Sequence, residues 1–290
     1  MAVRRPLARA KKLPLALALG AAVSLASRGA TAEERRGRDV QLFMRGNGLY
    51  DAGWITLSVT GIVSGTLLFK PPRVDRAPLD GLGHREHSPQ LGRAADASVA
   101  VGLGVGAGLA FLTEIGNGSK GRDLTRAPLI MVEGAVAASA FTQLLKNIFG
   151  VCRPRDWDGT QRRCLPTNKT GSSAAHEELE NEARRSFPSG HNAPLAGMAG
   201  AALGIYILPT GHRSEFLPIA LTSTGFALTT VLLREQAGAH SWVDTLGAFA
   251  AGGLAGFAAA ALHVKSGTTR PPPGEPVIQR PATLSFGGAF

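Results

Sequence analysis

The chain has few residues of several types, and each shortage narrows what it can be. Only 6% of its 290 residues are aromatic, only 18% are charged, and there are two cysteines. Two cysteines without nearby paired histidines do not form a zinc site, so we expect no metal ligand set. In contrast, 44% of the residues are hydrophobic and 37 are glycine, a composition that is apolar for a soluble protein.

The excess of basic residues is concentrated at the N-terminus. The formal net charge is +10, but six of the 31 basic residues and no acidic residue fall within residues 1–32. The remainder has 25 basic and 21 acidic residues, a net charge of +4. The charge therefore does not predict a nucleic-acid partner.

Residues 1–32 have the three parts of a secretory signal. Residues 1–12 are basic, residues 13–26 form an apolar core, and Ala30-Thr31-Ala32 offers small residues for cleavage. Because the apolar core is short for a membrane span, we predict a cleaved signal peptide, with a retained N-terminal anchor as the alternative. In both cases the chain enters an export pathway.

Six apolar segments predict six helices and no strand. They cover residues 52–69, 94–115, 128–149, 193–208, 219–233 and 246–264. Their lengths of about 16 to 22 residues are close to the roughly 20 that span a membrane. We therefore predict an all-α bundle at residues 52–264, embedded in a membrane and preceded by a polar segment at residues 33–51. A Pro-rich, disordered tail is predicted at residues 265–290. A soluble helical bundle is the alternative, because Gly and Ala weaken the hydropathy.

Two features refine the predicted helices. Gly102, Gly104, Gly106 and Gly108 lie inside the second apolar segment, and no strand precedes them, so they do not form a dinucleotide-binding motif. Small residues at this spacing instead allow two helices to approach closely. Pro128 is suited to the first turn of the third helix.

Both cysteines, Cys152 and Cys164, lie in one polar loop between the third and fourth apolar segments. In an exported chain a disulfide closing this loop is favoured. Two unrelated thiols are the alternative that the sequence leaves open.

Three polar clusters lie at predicted helix boundaries. Lys146 ends the third helix and Arg153 follows it, so two cations at a helix exit are available to neutralise a phosphate. Ser189 and Gly190 precede the fourth helix, where a hydroxyl and backbone amides favour anions. His191 is then placed beside that anion to give or take a proton.

The third cluster lies between the last two helices, which Gly238 separates. If His240 opens the last helix, Asp244 lies on the same face, where its carboxylate fixes the tautomer of the imidazole. The other ring nitrogen is then a nucleophile or base. Arg234 ends the preceding helix and offers a fork of donors suited to phosphate. For this cluster alone, a solvated His–Asp pair is an equal alternative.

In order and spacing the clusters resemble the signature of the type 2 phosphatidic acid phosphatase superfamily, which includes bacterial class A acid phosphatases and vanadium haloperoxidases. That signature reads Lys-x6-Arg-Pro, then Pro-Ser-Gly-His, then Ser-Arg-x5-His-x3-Asp. The matching residues are Lys146, Arg153, Pro154, Pro188, Ser189, Gly190, His191, Arg234, His240 and Asp244. The resemblance covers residues 128–264, and its one departure is Leu233, where the family usually has serine.

The resemblance implies a role for each of these residues. His240 attacks phosphorus and forms a phosphohistidine while Asp244 orients it, and His191 protonates the leaving oxygen and later activates water. The phosphate is held by Lys146, Arg153, Arg234, Ser189 and the Gly190 amide, with Pro154 and Pro188 as supporting residues. Three fixed cations neutralise the phosphate without a metal ion or other cofactor. Glu133 resembles a helix carboxylate of some relatives, and we expect it to brace a basic residue of the site.

The expected activity is metal-independent hydrolysis of a membrane lipid phosphate, such as phosphatidate or an isoprenoid diphosphate. One alternative is a soluble periplasmic acid phosphatase that acts on small phosphomonoesters. The other is a haloperoxidase that shares the phosphate pocket and uses vanadate as its cofactor. Vanadate would inhibit the phosphatase.

The export leader and the disulfide both place the site outside the cytoplasm, so we expect it to face the periplasm from a bacterial-type inner membrane. In membrane relatives the third helix runs outward, which requires residues 52–69 to run outward as well. A cleaved leader would leave the N-terminus outside and conflicts with that direction. Either the leader is not processed as a standard signal, or residues 52–69 do not cross.

Overall fold

The computed structural model describes residues 48–67, 70–72, 76–79, 88–121, 123–165, 179–208 and 213–263. The predicted signal peptide and the predicted tail lie outside these residues, as does nearly all of the polar segment at residues 33–51. The structural statements below concern only the described part of the chain.

Six long helices form the described part, as the sequence predicts. They are α1 (Gly48–Leu67), α2 (Pro89–Gly116), α3 (Asp123–Phe149), α4 (Ala193–Ile207), α5 (Phe216–Gln236) and α6 (Trp242–His263). The prediction for Pro128 was wrong, because α3 begins upstream at Asp123 and Pro128 lies inside the helix. The acidic Asp123 in the first turn favours this earlier start, since a negative charge interacts well with the helix N-terminus.

The loop between α3 and α4 contains a small hairpin that the sequence did not predict. Strand β1 (Trp157–Asp158) pairs antiparallel with β2 (Arg163–Cys164). At its turn the Asp158 carboxylate accepts hydrogen bonds from the Thr160 amide and hydroxyl at 2.9 and 2.6 Å. Cys152 and Cys164 form a disulfide, which ties the hairpin to the end of α3. Strands this short give no periodic pattern, so the pairing depends on the turn and the disulfide.

The helices pack around α4, which contacts α3, α5 and α6. Three glycines on three different helices meet at one point. A Cβ atom at Gly134 in α3 would lie 2.9 Å from the carbonyl oxygen of Gly197 in α4, and one at Gly256 in α6 would collide with the same oxygen. Small residues therefore let three helix backbones meet at one level.

The glycine run of α2 makes close contacts at two of its four positions. Side chains at Gly102 and Gly106 would collide with Leu195 and Met198 of α4, whereas nothing lies within 4 Å of a Cβ atom at Gly104 or Gly108. Only the glycines on one face of α2 therefore serve helix packing, since the others point away from the bundle.

The outer surface of the helical bundle is apolar, whereas the surface of a soluble protein is mostly polar. Helices α2, α3, α5 and α6 are long and apolar enough to span a membrane, whereas α4 is an apolar helix of 15 residues. Leu112, Leu246 and Leu254 are exposed, whereas Glu114 and Glu133 are buried. Apolar side chains outside and ionisable ones inside are typical of membrane proteins. The fold is therefore an all-α bundle of membrane type, as predicted.

Candidate active site

One end of the bundle gathers the three polar clusters. They lie at the C-terminal ends of α3 and α5 and at the N-terminal ends of α4 and α6. Main-chain hydrogen bonds join them: the Arg155 amide donates to the Gly238 carbonyl oxygen at 3.2 Å, and the Ser189 amide donates to the Asp244 carbonyl oxygen at 2.9 Å. The clusters are therefore held together by backbone contacts and not only by their side chains.

A tight turn at Gly238 joins α5 to the last cluster. Gly238 has φ of 68°, and its amide donates to the Glu235 carbonyl oxygen at 2.9 Å. Glycine adopts this left-handed conformation without the steric cost that other residues incur, and it commonly ends helices this way. Arg234 therefore lies in the last turn of α5, as predicted, with the chain reversing directly after it.

The start of α6 is stabilised by a reciprocal pair of hydrogen bonds. The Ser241 amide donates to Asp244 Oδ2 at 2.8 Å, and the Asp244 amide donates to Ser241 Oγ at 3.2 Å. This arrangement is a capping box with Ser241 as the N-cap. The expectation that His240 opens the helix was therefore wrong: the helix begins at Trp242, and His240 precedes the cap.

His240 and Asp244 still form a pair, and it is buried. His240 Nδ1 lies 3.7 Å from Asp244 Oδ2, and both side chains are at most 2% exposed. Asp244 Oδ2 also accepts a 2.5 Å hydrogen bond from Ser186 Oγ. Because Ser186 and Ser241 both hold this oxygen, the carboxylate charge is kept beside Nδ1, although 3.7 Å is too long for a hydrogen bond.

The environment of His240 favours its neutral form. Burial, together with the charges of Lys146 and Arg153, lowers the pKa of His240 to about 4, although Asp244 acts in the opposite direction. A neutral imidazole has a free lone pair, which a nucleophile requires. His240 is thus neutral at neutral pH, as a nucleophilic imidazole would have to be.

His191 lies beside His240, with 6.3 Å between the ring centroids. Burial of the ring lowers the pKa of His191 well below 6.5, and the positive charge of Arg234 adds to this effect. Its Nε2 lies 3.1 Å from Oδ1 of Asp96, a residue of α2. An anion bound between His191 and Arg234 would raise this pKa, since an opposite charge favours the protonated ring.

The predicted phosphate ligands converge on the same end. Lys146 is 8% exposed, and its ammonium lies against Gly190, where a Cβ atom would be 2.9 Å from Nζ. Arg153 Nη2 pairs with Glu182 Oε2 at 2.9 Å, and Arg234 pairs with Asp96. Fully buried Ser189 Oγ has no hydrogen-bond partner in the described part of the chain. Three cations and an unused hydroxyl together suit a phosphate group.

The contact between Gly190 and Lys146 supports a mutational test. We expect Gly190→Ala to lower kcat/KM about 100-fold, because displacing a positioning group by about 1 Å costs that much. The unfolding temperature should change little, since the displaced atom is the end of a flexible side chain. Gly159→Ala in the hairpin is the matched control, because its Cβ atom would meet only Trp157 Nε1 at 3.9 Å. Equal activity of the two variants would show that the contact is not needed.

Glu133 is the predicted supporting residue that the structure places elsewhere. Its Oε2 lies 3.1 Å from Nε2 of His263, the last residue of α6, and both side chains are at most 2% exposed. A rise of about 1.5 Å per residue puts Glu133 about 20 Å from Lys146 along α3. Glu133 therefore does not brace the cations of the site. Two buried ionisable groups avoid an uncompensated charge by pairing, which is the physical reason for its position.

The remaining predicted residues shape the backbone of the site. Pro154 begins a short 3-10 helix (Pro154–Asp156) directly after Arg153. Pro188 follows Phe187 through a cis peptide bond. Leu233, where the family usually has serine, is half-buried in the last turn of α5.

Several residues that contact the site were not predicted from the sequence. Asp96 and Glu182 pair with its cations, and Ser186 and Ser241 hold Asp244. The Ser-x-x-Asp spacing of Ser241 and Asp244 was a readable capping signal. Asp96 and Glu182 gave no such signal, because single acids near helix ends are common. Among the described residues, no group of three His, Cys, Asp or Glu side chains is arranged to hold a metal ion.

Comparison with known proteins gives one finding for this region. The family model described as the PAP2 superfamily matches residues 127–268, which include all three clusters from Lys146 to Asp244. No curated protein and no solved structure matches the chain significantly.

Proposed function

We propose that the chain is a metal-independent phosphatase of membrane lipids, because residues 127–268 match the PAP2 superfamily, which includes phosphatases of phosphate esters. Its reaction proceeds through a phosphohistidine at His240. The observation that carries the proposal is the meeting of Lys146, Arg153 and Arg234 with the buried His240–Asp244 pair at one end of the bundle. Cations and a neutral nucleophile together are what phosphoryl transfer requires.

The first step transfers the phosphoryl group to His240. Its Nε2 attacks phosphorus in line with the leaving oxygen, which takes a proton from His191 as the P–O bond breaks. The three cations and Ser189 Oγ stabilise the negative charge on the equatorial oxygens. His191 is neutral in the free site and gains its proton when the anionic substrate binds, because the substrate charge raises its pKa.

The second step releases phosphate. A water molecule gives a proton to neutral His191 and attacks the phosphohistidine, which breaks the P–N bond and regenerates His240. Asp244 stabilises the positive charge that develops on the His240 ring in both steps. Every group that this cycle uses is present in the chain, so the proposed reaction needs no cofactor.

The lipid substrate and the orientation follow from the surroundings of the site. The site lies at the end of helices whose outer faces expose large apolar side chains, so a lipid tail would lie beside the bundle while its phosphate enters the site. The disulfide lies in the loop that carries Arg153, and disulfides persist in oxidising compartments. Both observations favour a site that faces the periplasm from an inner membrane.

A substrate panel with the purified full chain in detergent tests this proposal. We expect kcat/KM for phosphatidate or farnesyl diphosphate to exceed that for p-nitrophenyl phosphate, with no loss in EDTA. A preference for the small ester, together with partition into the aqueous phase, would favour the soluble acid phosphatase instead. Halide oxidation that depends on added vanadate would favour the haloperoxidase. Either result would contradict the lipid phosphatase.

A further inference from the structure

One carboxylate oxygen at the site makes two contacts that bear on anion binding. Asp96 Oδ1 lies 3.1 Å from His191 Nε2 and also pairs with Arg234 Nη2. Asp96 is on the second turn of α2, whereas the residues of the superfamily signature lie on α3 to α6 and the loops between them. It is thus an additional anion that enters the site from a different helix.

Asp96 Oδ1 lies at the position that an oxygen of the substrate phosphate would take. The proposed reaction, on which this inference rests, uses His191 and Arg234 on the same phosphoryl group. A carboxylate, like a phosphate, is an acceptor that pairs with cationic donors. Asp96 Oδ1 occupies the position in which one phosphate oxygen would contact both His191 Nε2 and Arg234 Nη2.

The exposed fractions of Asp96 and Arg234 indicate which of the two side chains can move. The Asp96 side chain is 57% exposed, whereas that of Arg234 is 11% exposed. An exposed carboxylate regains water when it turns away, whereas a buried guanidinium that lost its partner would be left uncompensated. Exchange therefore requires Asp96 to swing outward while Arg234 keeps its place.

We propose that Asp96 is an internal anion that occupies the phosphate site and exchanges with the substrate. Any phosphate must displace Asp96 from Arg234 and His191. Its apparent affinity is therefore the intrinsic affinity multiplied by the fraction of molecules in which Asp96 is turned away. A phosphate attached to a lipid recovers this loss through contacts of its tail, whereas free phosphate does not. Asp96 thereby weakens the retention of inorganic phosphate, the product, and speeds its release, while the contacts of the tail keep the lipid substrate bound.

Direct binding of inorganic phosphate and of vanadate to the full chain in detergent tests this role. By titration calorimetry, we expect Asp96→Ala to bind both anions about tenfold more tightly, since one charge-assisted interaction no longer competes. Asp96→Asn should show a smaller gain, because its amide oxygen still accepts a hydrogen bond. Asp158→Asn is the matched control: it removes the same charge on the loop beside the site, where the carboxylate bonds to Thr160.

Three results would overturn the proposal. Unchanged or weaker anion binding in both Asp96 variants would mean that the carboxylate merely positions Arg234 or has no role. An equal gain in Asp158→Asn would mean that only overall charge matters. A wild-type chain that neither hydrolyses the substrate panel nor binds phosphate would remove the proposed function as well. Hydrolysis by the wild type, with no tighter binding in either variant, would remove only the role of Asp96.

Discussion

Replacing His240 with alanine is expected to lower kcat/KM for the preferred lipid by at least about 10⁴-fold, because the variant has no atom to receive the phosphoryl group. The unfolding temperature in detergent should fall only modestly, since His240 precedes the cap of α6 and is outside the helix. The rate is measured under the conditions of the substrate panel. An alkaline quench of the wild type with radiolabelled substrate should trap label on protein, because phosphohistidine survives base, and the variant should trap none.

The variant His191→Ala distinguishes the proposed general acid, His191, from the proposed nucleophile, His240. It should lose about 10² to 10⁴ in rate on the lipid substrate, the usual range for general acid–base catalysis. On p-nitrophenyl phosphate the loss in kcat/KM should be much smaller, because nitrophenolate leaves without a proton. The value of kcat should still fall and labelled protein should accumulate, because His191 no longer activates the water of the second step. A His240→Ala variant that remains active would contradict the phosphohistidine, whatever His191→Ala does.

Asp244→Asn is expected to lower kcat/KM by about 10³ to 10⁴-fold while the protein stays folded. The asparagine oxygen can still accept hydrogen bonds from Ser186 and the Ser241 amide, so the start of α6 is kept. What is lost is the negative charge beside His240 Nδ1, which stabilises the ring when it becomes positive. The loss of kcat/KM is checked by activity and the retained fold by the unfolding temperature, both measured on the same preparation.

Ser186→Ala is the graded control for this prediction. It leaves the charge of Asp244 in place but removes one of the two contacts that fix its direction, so we expect a loss of about tenfold. In the double variant the two losses should not add, because both act through the same carboxylate. Full additivity would show that Ser186 acts elsewhere, and wild-type activity in Asp244→Asn would exclude the orienting role of Asp244.

Much of this structure could be predicted from short spacings in the sequence. Six apolar segments gave the six helices, because each helix shows its length and composition locally. The three clusters were found because they lie at helix boundaries, and helix boundaries meet at the ends of a bundle. The capping box at Ser241 was also readable, yet placing His240 inside the helix moved the predicted start of α6 two residues upstream.

Contacts between distant helices could not be predicted. Asp96 and Arg234 are separated by 138 positions, and the sequence does not indicate which of several acids faces the site. Glu133 was expected to brace a cation of the site, but its actual partner, His263, depends on how far α6 extends beside α3. Such pairings follow from helix packing, which depends on side-chain fit and not on a periodic pattern.

The meeting of Gly134, Gly197 and Gly256 constrains how this protein can move. Backbones in direct contact leave no layer of side chains over which helices can slide, so α3, α4 and α6 form one stiff unit. That unit carries Lys146 on α3 and connects directly to His191 and His240 ahead of α4 and α6. Arg234 and Asp96 belong to α5 and α2, which pack against each other. We therefore expect any rearrangement that accompanies turnover to arise in α2, α5 or the loops, while Lys146 and His240, the proposed nucleophile, keep their relative positions.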